Sequence, residues 1–527
     1  MISYLNHKIN LNQIYLKIKK HWLLALLLVV IIITRLPIFL SGVVPFTFDH
    51  GKDSLAVLDM MLNLDLKLIG PWTSIPGLYF GPAWYYLLLS AYWLGQANPI
   101  APVVLMTLLL MVQVVIAYRF LGRLYALVFG FAPIAWTIST SAWNPFPMTL
   151  ISLLILVIFN QLKDQKQTRW QQILTLGLAA GFGFHFSSAF AVFMPVLILV
   201  SLWLLKVKLS WQKLFVFGLG LLIPFLPQLV FELKHSFGQT KAVLSYFSQG
   251  QAVSPSLAEL RWMIGQYLTE LLVYTLPTPW LPISELMNLV KYSVLGLTAL
   301  FVSRRWHLEK SKPSLNVLTL ISLIWITVPF FGFIFLHFNL WYLLAMAPWA
   351  IYIFVRLLWQ TPRSWRLVVV FLFLITPITS AFRFELIDRH QLALKRDFLP
   401  SKIEALAWID QQAAGQSFSS YHYVPHIYDY SYQYLYYQRA LSNKPLPVEF
   451  SYQPNETNYV QQKAVLQSYF SKRDLVQEAL PQHIFFIVEK AENQDYLDQW
   501  WGRQQFGQII KSKQVSSELQ VFMATPK

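Results

Sequence analysis

Long apolar runs separated by short basic segments form the main pattern of the chain. The first run, residues 22–40, has close to the ~20 residues that a helix needs to cross a bilayer. Later apolar runs flank four basic clusters, at residues 163–169, 206–213, 304–312 and 356–366. Because short basic loops stay in the cytoplasm, the pattern predicts a polytopic α-helical membrane protein with these clusters inside the cell.

The N-terminal segment determines the predicted orientation. Residues 1–21 contain Lys8, Lys17, Lys19 and Lys20 and no acidic residue, so this cytoplasmic N-terminus should stay inside. The run that follows lacks a small-residue cleavage site, which favours a retained span over a signal peptide. A transmembrane domain at residues 22–382 then has outer loops at about residues 41–80 and 232–284.

Residues 77–118 decide the span count, because their two apolar runs can make only one net crossing if residues 119–123 are cytoplasmic. The run at residues 83–94 has only ~12 residues, below the ~17 needed to span. We therefore expect it to lie at the interface and residues 101–118 to cross. This gives about eleven transmembrane helices and an extracytoplasmic C-terminus. Two true spans here, with a different count later, remain an open alternative.

Composition agrees with a multi-pass protein of the plasma membrane. Hydrophobic residues make up 56% of the chain and charged residues 13%, whereas soluble domains carry roughly 25% charged residues. The net charge of +16 lies mainly in the short loops, so positive-inside topology explains it better than nucleic-acid binding. The chain has no cysteine, which excludes disulfides and thiolate metal sites.

The sequence changes character from about residue 383, where apolar runs shorten to strand length. Ser401, followed three residues later by Glu404, predicts a capped helix at residues 401–412. A buried strand is expected at residues 483–488, and a hairpin at 507–511 and 519–523. Residues 383–527 are therefore predicted to form a small extracytoplasmic α/β domain.

A run of tyrosines at residues 421–437 has two interpretations. Tyrosine rings offer flat apolar faces with a polar edge and could stack on carbohydrate. Such runs more often pack at a domain or membrane interface, and we favour that interpretation.

Two carboxylates, Asp49 and Asp53, follow the first span directly. If this segment is helical, both lie on one face, where they could hold one divalent cation or one could act as a general base. A solvated loop is the simpler alternative. Lys52 could contact a phosphate or pair with either carboxylate, and His50, as a lone histidine, is a weak metal candidate.

The loop at residues 69–86 contains three prolines and three glycines, so it cannot form one helix and must fold back on itself. Its aromatic residues, among them Tyr85 and Tyr86, form either a belt at the lipid boundary or a groove for an amphiphilic substrate.

These motifs together resemble a known family. Asp49-x-x-x-Asp53 in a first outer loop, then Gly81-Pro-x-x-Tyr85-Tyr86 opening an apolar run, resemble the bacterial integral-membrane glycosyltransferases of the GT-C superfamily, in the protein O-mannosyltransferase and aminoarabinose transferase-like group. The resemblance covers about residues 20–380. It implies inverting transfer of a hexosyl or pentosyl group from a polyprenyl-phosphate sugar to a glycan, lipid or protein of the bacterial cell envelope. By position, Asp49 matches the essential acidic residue of the family.

The chain departs from the family pattern at two positions. Many relatives have Asp-Glu where this chain has Asp49-His50, which leaves the second carboxylate to Asp53 and bears on metal dependence. The second outer loop offers Asn144 instead of an acidic residue. Asn144 can hydrogen-bond a hydroxyl but cannot act as a base, and capping the helix after Pro145 is an equal alternative.

Further substrate contacts are expected on the outer side. A donor phosphate needs cations, and Lys234 and Arg261 are the favoured candidates in the second long outer loop. His185, at a predicted outer turn at membrane level, is a functional candidate. Tyr342 either lines the same cavity or anchors the chain at the interface.

Two other function classes compete with the enzyme. A transporter or flippase for lipid-linked saccharides would also need many spans, but transporters tend to place charges at mid-membrane and to show repeated halves. Here the acidic pair lies at a helix end and no repeat is visible. A sensor or scaffold on a membrane anchor would not need eleven spans. The enzyme is therefore favoured.

Overall fold

The computed structural model describes residues 11–165, 167–248, 255–309, 316–333, 339–425, 428–456, 459–477 and 479–527. The chain is mostly helical and ends in a unit with a five-stranded sheet. The first helices are α1 (Leu11–Ser41), α2 (Phe48–Asn63), α3 (Ala83–Leu94), α4 (Ala101–Phe120), α5 (Arg123–Phe131), α6 (Pro133–Thr137) and α7 (Met148–Leu162).

The middle of the chain continues as helices with two 3-10 segments, Ile223–Phe225 and Leu340–Met346. These helices are α8 (Trp170–Phe186), α9 (Ser188–Ala191), α10 (Met194–Leu204), α11 (Trp211–Leu222), α12 (Leu226–Lys234), α13 (Gly238–Ser248), α14 (Leu257–Thr275), α15 (Ser284–Glu309), α16 (Val317–Phe333), α17 (Ala347–Leu358) and α18 (Arg363–Arg383).

Several helices are long and apolar enough to cross a membrane. In the described residues, six segments meet both conditions, and three shorter apolar helices accompany them. The six are His21–Ser41, Ala101–Phe120, Trp211–Lys234, Ser284–Arg305, Leu340–Leu358 and Arg363–Ala393. The count of eleven spans stays a prediction. The basic segments at residues 1–21 and 304–312 lie partly outside the described residues.

The two helices in the region with the open span count have the lengths of their apolar runs. Helix α3 has 12 residues, fewer than the ~17 that a span needs, and α4 has 20; the number of crossings here stays a prediction. The loop before α3 folds back as expected: Gly70 N donates to Phe80 O at 2.8 Å, and Phe80 N donates to Pro71 O at 2.8 Å. The loop thus returns to its starting point before α3 begins.

The C-terminal unit is an α/β domain, as the sequence predicts. Its sheet has the order β2-β1-β3-β5-β4, parallel between β1 and both of its neighbours and antiparallel elsewhere. The predicted strand and hairpin are confirmed as β3 and as β4 with β5. The strands are β1 (Phe418–Tyr423), β2 (Phe450–Ser451), β3 (His483–Glu489), β4 (Ile509–Ser516) and β5 (Leu519–Ala524). A π-helical turn, Phe384–Asp388, precedes helices α19 (Arg389–Ala393), α20 (Leu399–Ala413), α21 (Tyr430–Ala440), α22 (Lys463–Ser471) and α23 (Gln494–Gly502).

The predicted cap at Ser401 is wrong. Helix α20 begins at Leu399 with a proline in its first turn, a position where the fixed φ of proline favours a helix start. Ser401 therefore lies inside the helix, and its hydroxyl donates to the carbonyls of Lys395 (2.8 Å) and Phe398 (3.0 Å).

The C-terminal domain is joined to the loop after α1, the predicted first outer loop, by backbone pairing. Phe46 N donates to Asp397 O at 2.7 Å, and Leu399 N donates to Val44 O at 3.0 Å, around a bridge between Pro45 and Phe398. Helix α2 also packs against α21. The segment that carries the two carboxylates is therefore held by the C-terminal domain as well as by α1.

The tyrosines of α21 are core residues, some at this contact and others inside the C-terminal domain. All five of its tyrosines are at most 5% exposed, so their faces cannot stack on an external sugar. The carbohydrate-surface interpretation is wrong for α21: Tyr434 packs at the domain interface on Phe46 and Tyr92, and Tyr437 packs on Phe450 and Phe470 inside its own domain. The five tyrosines are Tyr430, Tyr432, Tyr434, Tyr436 and Tyr437.

Candidate active site

Helix α2 places both carboxylates beside one cavity. The helix lies outside the six apolar segments and starts after Thr47, whose backbone N–H donates to His50 Nδ1 at 3.3 Å. Asp49 lies in the first turn, where a negative charge interacts favourably with the helix dipole. Asp53 follows one turn later, so the two carboxylates share a face, as their spacing predicts.

The cavity is small, about 20 Å³ in volume, and lies between the loop after α1, the first turns of α2 and α4, and one face of α3. Its polar lining comes from Asp49, His50, Asp53 and Ser54, and Trp84, Tyr92 and Trp143 are among its aromatic walls. A pocket with few polar groups and mostly aromatic and apolar walls is typical of small-molecule sites.

Asp53 is the buried member of the pair, only 7% exposed. Trp84 Nε1 donates to its Oδ2 at 2.8 Å, while Oδ1 is buried and accepts no hydrogen bond from the described part of the chain. Burial raises the pKa of Asp53 to about 7, and the charge of Asp49 adds to this, whereas the Lys52 ammonium opposes it. Asp53 can thus exchange a proton near neutral pH.

Asp49 is the accessible member of the pair, with its side chain 35% exposed. Lys52 Nζ lies 3.2 Å from Asp49 Oδ1 and 4.3 Å from the ring centre of Trp72. Lys52 therefore pairs with Asp49 and brings a positive charge to the carboxylates. His50 stays neutral, because burial lowers its pKa to about 4.

The cavity offers few ligands for the predicted metal ion. No group of three or more His, Asp or Glu that could hold a metal occurs in the described ranges. Asp49 and Asp53 offer carboxylate oxygens, including the unpartnered Oδ1, but Mg²⁺ or Ca²⁺ takes six or more oxygen ligands. A cation here would fit only if water and substrate phosphate supplied most of its ligands.

His185 is held by the backbone of two neighbouring segments. It is 2% exposed, its Nδ1 accepts from Ala83 N at 3.0 Å, and its Nε2 lies 3.0 Å from Pro224 O. Both ring nitrogens are thus used by the backbone, which supports a structural role, and the substrate contact stays a prediction. A side chain on Gly81 would collide with the His185 ring, which explains the glycine of the Gly-Pro-x-x-Tyr-Tyr motif.

Asn144 directly follows a cavity residue in the sequence. Its Nδ2 donates to Phe186 O at 3.3 Å, and its neighbour Trp143 lines the cavity. The capping alternative is wrong, because α7 starts at Met148 after Pro147. Asn144 itself is buried and does not line the cavity.

The two predicted phosphate cations do not reach the cavity. Lys234 ends α12 and Arg261 lies on α14, both exposed and neither in the cavity lining. Much of the predicted loop at residues 232–284 is helical; residues 249–254 lie outside the described part. Gln239 in this segment accepts a hydrogen bond from Tyr79 N at 2.9 Å, so the segment contacts the first outer loop.

The three predicted tyrosine contacts lie in different surroundings. Tyr85 is buried beside Asp53, and burial together with the Asp53 charge raises the pKa of the Tyr85 phenol. Tyr86 is 37% exposed and donates to Lys67 O at 3.0 Å. Tyr342 accepts from Asn339 Nδ2 at 3.1 Å and packs beside Trp341, which contacts the cavity residue Trp143. Two rings, those of Trp341 and Trp143, thus lie between Tyr342 and the cavity.

Sequence reasoning missed the groups that hold Asp53 and its helix. Trp84 donates to Asp53, and Tyr92 OH lies 2.6 Å from Ser54 Oγ. Both aromatic residues belong to α3, whose apolar pattern conceals their polar atoms. Trp84 lies inside the quoted Gly-Pro-x-x-Tyr-Tyr motif, which was the available signal.

Comparisons with known proteins bear on the fold. No family model and no curated protein matches the chain. Among solved structures, ArnT from Cupriavidus metallidurans bound to undecaprenyl phosphate has a TM-score of 0.58 at 12% identity, with 95% of this chain and 97% of ArnT covered. The apo state of ArnT gives 0.56 at the same identity and coverage. The arabinofuranosyltransferase AftD from Mycobacteria gives 0.45 at 12% identity, with 96% of this chain and 40% of AftD covered. Over nearly its whole length, the chain therefore has the fold of ArnT.

Proposed function

We propose that the chain is a glycosyltransferase that moves a sugar from a polyprenyl-phosphate donor to an acceptor on the extracytoplasmic face of the membrane. The observation that carries this proposal is the pair Asp49 and Asp53 on one cavity beyond the first span. The fold adds support, because ArnT with the same fold was crystallised bound to undecaprenyl phosphate.

Asp49 is assigned as the general base, because its carboxylate lines the cavity and is partly open to solvent. It takes the proton of an acceptor hydroxyl while the acceptor oxygen forms a bond to the anomeric carbon. The bond from that carbon to the phosphate oxygen breaks, and polyprenyl phosphate leaves with the electron pair. Inversion at the anomeric carbon is part of the proposal.

Lys52, like Lys234 and Arg261, is not in the cavity lining, but it is assigned to the leaving phosphate because it pairs with the cavity residue Asp49. Its ammonium lies 3.2 Å from Asp49, so it reaches the reacting region. Asp53, with its pKa raised to about 7 by burial, is partly protonated at neutral pH, which reduces repulsion between the acidic pair and an anionic phosphate. A divalent cation on Asp49 and Asp53 would supply further positive charge to that phosphate.

The test is sugar transfer by the purified protein in lipid, from a panel of polyprenyl-phosphate sugars. Asp49→Asn should lower transfer by about 10²- to 10⁴-fold, the usual contribution of a general base. Asp65→Asn is the matched control, because Asp65 is a more exposed carboxylate that pairs with Lys67 and does not line the cavity. A chelator arm measures the contribution of a metal.

Undiminished transfer by Asp49→Asn would remove the base assignment. Absence of transfer from every donor, together with translocation of the lipid-linked sugar across the bilayer, would replace the enzyme with a flippase.

A further inference from the structure

The face of α2 that carries Gly51 packs directly on the backbone of the C-terminal domain. Gly51 lies between the two cavity carboxylates, and a side chain there would overlap the backbone of Tyr430 and Ser431 at the start of α21. Glycine allows such close approach because it has no Cβ. The helix that carries the carboxylates is therefore seated directly on a helix that is more than 360 residues later in the chain.

Tyr434 of α21 extends this contact to the cavity wall. Its side chain is fully buried, and its hydroxyl donates to Ala97 O at 2.6 Å. Its ring centre lies 5.8 Å from that of Phe46 and 5.7 Å from that of Tyr92. Phe46 and Tyr92 both line the cavity, so Tyr434 supports two of its walls from behind.

Helix α21 is itself firmly held inside the C-terminal domain. Asp429, the residue before α21, is completely buried, with Oδ2 2.5 Å from His422 Nδ1 and Oδ1 accepting from Tyr459 OH at 2.6 Å. Tyr432 donates to Glu489 at 2.9 Å. These buried hydrogen bonds tie α21 to the rest of its domain and restrict its motion, so α21 is suited to fix the position of another helix.

We propose that the C-terminal domain positions the catalytic helix: α21, through Tyr434 and the contact at Gly51, sets where Asp49 and Asp53 stand in the cavity. This positioning role rests on the function proposed above, and it gives the C-terminal domain a task that needs no ligand of its own. Tyr434 is a positioning residue, because it contacts the cavity walls and not the reacting groups.

The experiment compares two buried tyrosines of the same helix. Tyr434→Ala removes the contact with the first outer loop. Tyr437→Ala is the matched control, because Tyr437 is equally buried but packs on Phe450 and Phe470 inside its own domain. For both variants, kcat, KM and Tm are measured in lipid, together with amide hydrogen exchange of residues 48–63.

Tyr434→Ala should lower kcat at least about tenfold, since small displacements of catalytic groups have large effects on rate. KM for the donor should change less than kcat. Exchange in residues 48–63 should become faster in Tyr434→Ala and stay native in Tyr437→Ala, even where both variants lose similar Tm. A loss of stability alone would not separate the two variants in this way.

Equal exchange of residues 48–63 in the two variants, or a native kcat in Tyr434→Ala, would overturn the positioning role. If the alanine variants do not fold, Tyr434→Phe and Tyr437→Phe decide by the same exchange measurement, because Tyr434→Phe removes the hydrogen bond to Ala97. If the native chain transfers no sugar, the proposed function fails, while the exchange comparison still decides whether α21 positions α2.

Discussion

Asp53 and Asp49 are one helical turn apart but differ in burial, Asp53 being buried and Asp49 partly exposed. Burial raises the pKa of Asp53 from 3.8 to about 7, so the folded protein binds more protons at this residue than the unfolded chain between those two pH values. The contribution of Asp53 to stability is therefore most favourable at low pH, declines as the pH rises from about 4 to 7, and is constant above that.

The residue-scale prediction is that Asp53→Asn removes this pH dependence. The Tm of the variant minus the Tm of the native protein should increase between pH 5 and pH 8, because asparagine does not ionise. His50, whose pKa burial lowers to about 4, contributes with the opposite sign but is present in both proteins. A Tm difference that does not change with pH would contradict the assigned burial of the Asp53 charge.

A second residue-scale prediction concerns His185. His185→Ala should destabilise the protein by about 1–3 kcal/mol, because Ala83 N and Pro224 O then lack their buried partners. The folded fraction should keep its kcat. His235→Ala is the control, since His235 is exposed, and it should leave Tm native. An unchanged Tm with lost activity would support the substrate contact that the sequence suggested.

At the scale of elements, the contact between α2 and α21 predicts opposite effects of one substitution at two helical glycines. Glycine to alanine usually stabilises a helix by about 0.5–1 kcal/mol. Gly265→Ala on α14 should do so, because an added Cβ there meets nothing within 4 Å. Gly51→Ala should lower both Tm and kcat, because the new Cβ meets the backbone of α21. Equal Tm values for both variants would contradict the close contact.

The sequence could predict single elements of the fold but not the contact between α2 and α21. Local signals were sufficient where an element is defined by its own residues: the 12-residue run of α3, the strand β3 and the final hairpin agree with the structure. The cap at Ser401 failed because a proline and a distant pairing with Pro45 start α20 earlier. The seating of Gly51 on α21 joins distant segments, which no periodicity in one sequence reveals.

The candidate site was predictable to a similar extent. The spacing of Asp49 and Asp53 was enough to place them on one cavity, because one helical turn fixes their common face. The burial that raises the pKa of Asp53 comes from Trp84 and neighbouring rings, which depends on tertiary packing. For the same reason Lys234 and Arg261, chosen for their charge, are found outside the cavity lining.

At the scale of the whole molecule, the proposed function requires the cavity to face the extracytoplasmic side. The absence of cysteine from the 527 residues allows this to be measured with single cysteines in otherwise native protein. Lys472→Cys in the C-terminal domain and Lys208→Cys in a predicted cytoplasmic cluster are both at exposed positions. In intact spheroplasts, a membrane-impermeant maleimide should label Lys472→Cys and not Lys208→Cys, and permeabilised spheroplasts should show both.

The labelling of Lys472→Cys also locates the cavity, because the loop after α1 is hydrogen-bonded to the C-terminal domain and therefore lies on the same side of the membrane. Phe46 N donates to Asp397 O at 2.7 Å, and Pro45 pairs with Phe398. Asp49 is three residues after Phe46. The reverse labelling pattern would place Asp49 in the cytoplasm, which would contradict the positive-inside assignment of the loops and transfer at the extracytoplasmic face.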